Sequence, residues 1–129
     1  KGYSFMKILL AKVGLDGHDR GVNVIRDALI GEGIEVVFIG LHKTPEEIVA
    51  AAIKEKVDAV GISSLTGAHN VIFQRVFELL KEKKVDIPIF AGGIISDEDV
   101  LILKGMGVKG VFTPGTELDD IIRFVKGLK

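Results

Sequence analysis

Ile8-Leu9-Leu10-Ala11-Lys12-Val13 leads into Asp16-Gly17-His18-Asp19-Arg20-Gly21, and then into Val22, Val24, Ile25, Ala28 and Leu29. The first run is apolar at nearly every position, the pattern of a strand buried on both faces. The last group has the spacing of a helix face. The residues between them form a loop at the carboxyl end of a strand, where open α/β sheets place their ligands. This loop carries a histidine, a carboxylate two residues before it, and glycines that let a bulky group approach the backbone. A neutral imidazole binds transition metals, and a carboxylate on its other ring nitrogen fixes the tautomer. The same loop also reads as a plain strand–helix turn with a solvated His18, because metal sites usually take several ligands from the chain.

Outward from that stretch, strand and helix signals alternate five times. Strands are expected at 7–13, 35–39, 59–63, 88–91 and 110–112. The helices between and after them start near Gly21, Thr44, Asn70, Ser96 and Thr116. Gly31 and Gly33 stop the first helix. Thr44, Pro45 and Glu47 have the order of a capping box with proline at the first helical position. Ile48, Val49, Ala52 and Ile53 form the second helix's stripe, and Ile72, Val76, Leu79 and Leu80 the third's. Ser96 with Asp99, and Thr116 with Asp119, open the last two helices. Alternating βα units with such strands imply an α/β fold: a flavodoxin-like (Rossmann-type) doubly wound five-stranded parallel sheet, order 2-1-3-4-5. A fragment of a (β/α) barrel is the runner-up, and the chain is too short to close one. Residues 1–6 read as a disordered or linker segment, and 7–129 as one domain.

The 129 residues are 47% hydrophobic and 27% charged, a globular composition. A formal net charge of −1 leaves no basic excess for nucleic acid or an anionic membrane. Without cysteine, disulfides, thiolate metal sites and thiol nucleophiles are excluded, and a cytoplasmic setting fits. No apolar run approaches the about 20 residues that span a bilayer.

In this fold the loops after the first, third, fourth and fifth strands share one edge. They hold Asp16–Gly21, Ser63–His69, Gly92–Ile95 and Thr113–Thr116. Their small residues, Ser63, Ser64, Gly67, Gly92, Gly93, Gly115 and Thr116, suit a groove for a ligand with polar and phosphate groups. Taken singly, each loop is also ordinary turn chemistry. There is no Walker phosphate loop, no Gly-x-Gly-x-x-Gly and no nucleophile elbow. The third strand ends in Ser63-Ser64, not in the aspartate that a response-regulator receiver needs. A zinc site built from His18, His42 and His69 is disfavoured, because the second strand's loop usually diverges from the first strand's.

Asp16-x-His18-x-x-Gly21, Ser63-x-Leu65 and Gly92-Gly93, at these spacings, resemble the signature of cobalamin-binding domains that hold the cofactor through a protein histidine. The run Ala11–Gly21, Gly40-Leu41 with Thr44-Pro45-Glu46-Glu47, Ser63-Ser64-Leu65 with His69, and Thr113-Pro114-Gly115-Thr116 look like the methylmalonyl-CoA mutase group. The resemblance spans about residues 6–129. It implies that His18 is the axial ligand to cobalt, in place of the cofactor's own dimethylbenzimidazole. Asp16 would accept the hydrogen bond from His18, and Lys12 would pair with Asp16. Without that pairing, a strand-end lysine such as Lys12 simply reaches solvent. Gly17, Asp19, Arg20 and Gly21 would complete the loop beneath the corrin. Ser63 and Leu65 would line a groove for the displaced nucleotide tail. Gly92 and Gly93 would leave it room, and Thr113, Pro114, Gly115 and Thr116 would close its far end.

The implied cofactor is adenosylcobalamin, and the implied reaction is the radical isomerisation of methylmalonyl-CoA and succinyl-CoA. The implied partner is a large acyl-CoA mutase subunit, because the acyl-CoA barrel characteristic of these enzymes needs about 250 residues. The alternative is a free-standing corrinoid carrier for methyl transfer or cofactor delivery. Such carriers usually bear a helical cap before the domain, which six residues cannot build. A degenerate flavodoxin-like interaction module is the reading without cobalamin.

Overall fold

The computed structural model describes residues 6–13, 20–39, 44–64, 69–93, 95–113 and 115–128; at 13, 20–22, 64 and 69 it describes the backbone alone. The elements are β1 (Lys7–Val13), α1 (Arg20–Gly31), β2 (Glu35–Phe38), α2 (Pro45–Glu55) and β3 (Ala59–Ser64). They continue with α3 (His69–Glu82), β4 (Ile89–Gly92), α4 (Asp97–Met106), β5 (Gly110–Phe112) and α5 (Leu118–Lys126). The five strands pair in parallel in the order β2-β1-β3-β4-β5, as expected from the pattern. Residues 1–5, expected as a linker, lie outside the described residues. Met6, grouped with them in the sequence, is buried.

Helix chemistry sets several boundaries. The Thr44 hydroxyl accepts from the Glu47 N–H at 3.1 Å, and the Glu47 carboxylate accepts from the Thr44 N–H at 2.9 Å. This reciprocal box satisfies two donors that would otherwise be free at the start of α2. Ser96 accepts from the Asp99 N–H at 3.2 Å and caps α4. Gly107, left-handed at φ 119°, ends α4. The start of α5 differs from expectation. Thr116 does not cap it: its hydroxyl donates to the Thr113 carbonyl at 2.8 Å, and Glu117 takes the N-cap position without a side-chain hydrogen bond. β4 begins at Ile89, one residue after Pro88. Proline has no N–H to donate, although its carbonyl accepts from the Val60 N–H at 2.9 Å.

Alternation along the strands sends side chains into two cores. Leu9, Ala11, Val60, Ile62, Ile89 and Ala91 face α2, α3 and α4. There they meet Ile48, Val76 and Leu103, and also Phe73, a fully buried ring absent from the sequence-derived stripe. Ile8, Leu10, Ala59 and Phe90 face α1 and α5, where they meet Leu29, Ile121 and Val125. At the amino edge of the sheet, Lys126 pairs with Glu32 at 2.6 Å and ties the end of α5 to the end of α1. The amino-terminal ends of both helices point to the opposite, carboxyl edge.

Lys56, at the end of α2, sits at φ 54° in the left-handed region, where a Cβ crowds the backbone. Lys56→Gly is expected to raise stability by about 0.5–1 kcal/mol. A higher urea midpoint with an unchanged slope is the result to look for.

Candidate functional site

The sheet register lines up the residues of the carboxyl edge. Lys12 on β1 is the partner of Ser63 on β3, Ser63 of Gly92 on β4, and Gly92 of Phe112 on β5. Neighbouring strands lie ~4.8 Å apart, so this row is roughly 14 Å long. Its members share the side of Leu10 and Phe90, the α1/α5 side. Three residues that are far apart in the chain and were expected at the cofactor, Lys12, Ser63 and Gly92, are thus brought together.

The next row toward the amino edge is Phe38, Leu10, Gly61, Phe90 and Gly110. It is filled. A Cβ at Gly61 would lie 2.5 Å from Phe90 Cζ and 2.9 Å from Leu10 Cδ2. A Cβ at Gly110 would lie 2.8 Å from the Phe124 ring and 3.2 Å from Phe112 Cζ. Gly92 is different: among the described residues, a Cβ there would meet only the Phe112 carbonyl oxygen, at 3.6 Å. Among the described residues, the α1/α5 side is therefore packed solid at the Gly61 row and open at the Gly92 row.

The neighbouring backbone frames that opening. Gly93 adopts φ 126°, and its N–H donates to the Phe112 carbonyl at 3.1 Å, pinning the end of β4 to β5. This conformation is reserved for glycine. The Thr113 carbonyl accepts from both the N–H and the hydroxyl of Thr116, with Gly115 at φ 100° inside the turn. Lys12 is only 1% exposed, so the reading of a strand-end lysine reaching solvent is overturned. A buried lysine at a carboxyl edge points to a specific polar environment.

Asp16, Gly17, His18, Asp19, Leu65 and Pro114 lie outside the described residues, as does His42. Arg20 and Gly21 form the first turn of α1. Among the described residues no group of His, Asp and Glu could hold a metal ion. Among the described residues, the groups whose ionisation is clearly shifted include two near the surface. A hydrogen bond from Arg75 holds the Glu46 carboxyl below its ordinary range, and Glu55 holds the Lys7 ammonium above its own.

Two features escaped the sequence. Phe112 stands in the row with Ser63 and Gly92; an aromatic at the end of a short strand reads only as core. Asn70, in the first turn of α3, donates to Asp99 at 3.4 Å across to α4, while its buried Oδ1 has no partner among the described residues. One polar residue in a first turn gives no signal of that.

The profile of the B12 binding domain family matches residues 6–123. The chain belongs to this family. The B12-binding domain is 44% identical over 124 residues to the 2-hydroxyisobutanoyl-CoA mutase small subunit of Aquincola tertiaricarbonis, covering 95% of this chain and 91% of that one. It is 40% identical over 123 residues to the methylmalonyl-CoA mutase of Escherichia coli K12, of which it spans 17%. The methanol:cobalamin methyltransferase complex of Methanosarcina barkeri superposes with a TM-score of 0.77 at 26% identity, covering 95% of this chain and 45% of that one. The row suits a cobalamin-binding domain: it offers a glycine whose side no described side chain fills, a hydroxyl at Ser63 and a turn built around Gly115. Among the described residues, no helix is long and apolar enough to cross a membrane.

Proposed function

We propose that this cobalamin-binding domain is the cofactor-binding subunit, or cofactor-binding part, of an acyl-CoA mutase, and that a large subunit supplies the catalytic barrel. The observation that carries this reading is the 44% identity to a mutase small subunit along nearly the whole of both chains. Adenosylcobalamin supplies a radical when its cobalt–carbon bond breaks. The work of this chain is to hold and position it. His18 would ligate cobalt, and Asp16 would accept a hydrogen bond from the N–H of the other ring nitrogen, fixing the tautomer and raising the basicity of the ligand. Lys12, buried beside Ser63 in the sheet, neutralises Asp16 in part and moderates that effect. The nucleotide tail enters between the sheet and helices α1 and α5, over Ser63 and Gly92. Gly93 and the Thr113–Thr116 turn close the groove. The edge at the starts of α1 and α3, near Arg20 and His69, would meet the large subunit, which would cover the bound cofactor and keep water from it. A cytoplasmic location is part of the same proposal.

The substrate is a branched acyl-CoA, with methylmalonyl-CoA and 2-hydroxyisobutanoyl-CoA the two to assay. The test adds this chain to adenosylcobalamin with and without an acyl-CoA mutase large subunit. Turnover is expected only with both subunits. Turnover by this chain alone overturns the subunit reading. Binding of cobalamin without turnover beside any mutase large subunit favours the second reading, a corrinoid carrier. The likeness to the methyltransferase complex supports that alternative.

A further inference from the structure

The outer face of α4 carries a pattern that the fold of the chain does not use. The helix sends Leu103 into the core, and on its other side Asp97, Glu98, Leu101, Lys104 and Gly105 are all exposed. Leu101 is 73% exposed, the highest value for a large apolar side chain among the described residues, and Ile102 beside it is 41% exposed. Glu98, Leu101 and Gly105 follow one another at helical spacing and form one stripe, while Asp97 and Lys104, two turns apart, lie on one flank of it. A Cβ at Gly105 would meet nothing within 4 Å. Elsewhere exposed charges pair within the chain, Glu46 with Arg75 and Glu32 with Lys126. No ion pair among the described residues takes up Asp97, Glu98 or Lys104. An acidic first turn and a basic last turn suit the helix dipole. That accounts for the charges, and not for an exposed leucine set midway between them.

We propose that the outer face of α4 is a self-association surface, on which a second copy of this chain seats its own α4 antiparallel across a twofold axis near Leu101. In such a contact the same patch serves both copies. Leu101 meets its counterpart at the axis, and Asp97 of each copy faces Lys104 of the other, because the two lie on either side of Leu101 at similar distances along one flank. The order acid, leucine, base complements itself only when the second helix runs the other way; a parallel pair would set acid on acid and base on base. Gly105 puts no side chain between the two backbones, so the helices can approach closely. The contact leaves the candidate site clear. α4 packs with α2 and α3 on one side of the sheet, and the row of Ser63 and Gly92 opens on the other, the α1/α5 side. A helix of 10 residues is about 15 Å long, and a contact of that length falls below the ~1,000 Å² of a tight interface, which sets an affinity on the order of 100 μM.

The experiment is sedimentation equilibrium of the full chain from about 10 μM to about 1 mM, a range that brackets this affinity. The native chain is expected to show a monomer–dimer equilibrium that weakens as salt is raised. Leu101→Asp, with an unchanged circular dichroism spectrum, is expected to stay monomeric throughout. Asp97→Lys and Lys104→Asp each bring like charges together at two places, and each alone should weaken self-association by about tenfold. Mixed in equal amounts, these two variants restore opposite charges at both places, and a heterodimer of about native affinity is expected. That recovery on mixing requires the antiparallel pairing, and the charge variants carry the test if Leu101→Asp fails to fold. A native chain that stays monomeric up to about 1 mM overturns the proposal. So does a dimer that Leu101→Asp leaves intact, and so do charge variants that gain nothing on mixing. A monomeric native chain whose capture by a mutase large subunit is weakened by Leu101→Asp gives this face to that subunit, and the proposal fails.

Discussion

Cob(II)alamin bound to the His18→Ala variant is expected to show no nitrogen coupling from the protein in its electron paramagnetic resonance spectrum, while the native chain shows it. Alanine removes the only imidazole in the Asp16–Gly21 loop. No core contact described above involves His18, so none of them is lost in the variant. The groove over Ser63 and Gly92 is untouched, so the cofactor should still bind through its tail. With a large mutase subunit, turnover is expected to fall at least about 100-fold, because even the outer partners of a metal ligand are worth ~10–100-fold. Asp16→Asn should behave as such an outer partner, retaining the coupling and losing ~10–100-fold in activity. Nitrogen coupling that persists unchanged in His18→Ala would remove His18 from the cobalt.

The fold was legible because its signals are local and redundant. β1 is apolar at almost every position, and the capping box at Thr44 and Glu47 sets the start of α2 within a residue. Thr116 misled because a threonine before a helix can cap it or close a turn, and the two uses share one residue type. Here the Thr113 carbonyl wins the hydroxyl. Part of the candidate site's placement was legible: Ser63, Gly92 and Gly93, singled out by the three-part signature, lie at the carboxyl ends of β3 and β4, and their role at a cofactor is part of the proposal. What could not be read was the row itself. That Lys12, Ser63, Gly92 and Phe112 lie side by side is a property of strand pairing across the sheet, and no spacing along one strand encodes it. The burial of Lys12 was hidden for the same reason: lysine is among the residues most often found at the surface, and only its neighbours say otherwise.

Two glycines on the α1/α5 side should respond in opposite ways to added bulk. Gly61→Ala is expected to lower stability by about 3 kcal/mol, because its Cβ would sit 2.5 Å from Phe90 Cζ inside a closed ring cluster. That corresponds to a fall of roughly 10 °C in Tm for a domain of this size. Gly92→Ala should be nearly neutral for the fold, since among the described residues its Cβ meets only a carbonyl oxygen at an ordinary contact distance. Gly92→Leu then becomes a probe of the groove and not of the core. Its side chain projects into the space assigned to the nucleotide tail, and overfilling a tight site costs ~1–3 kcal/mol. Cobalamin affinity should drop by about 10–100-fold, while cobinamide should bind the variant about as well as the native chain. Equal weakening of both corrinoids in a Gly92→Leu protein with native Tm would place the tail elsewhere. The pairing of variants matters because each checks the other. Loss of stability at Gly61 with none at Gly92 establishes that one row is packed by the protein's own rings. The next row is then left to be filled by a ligand.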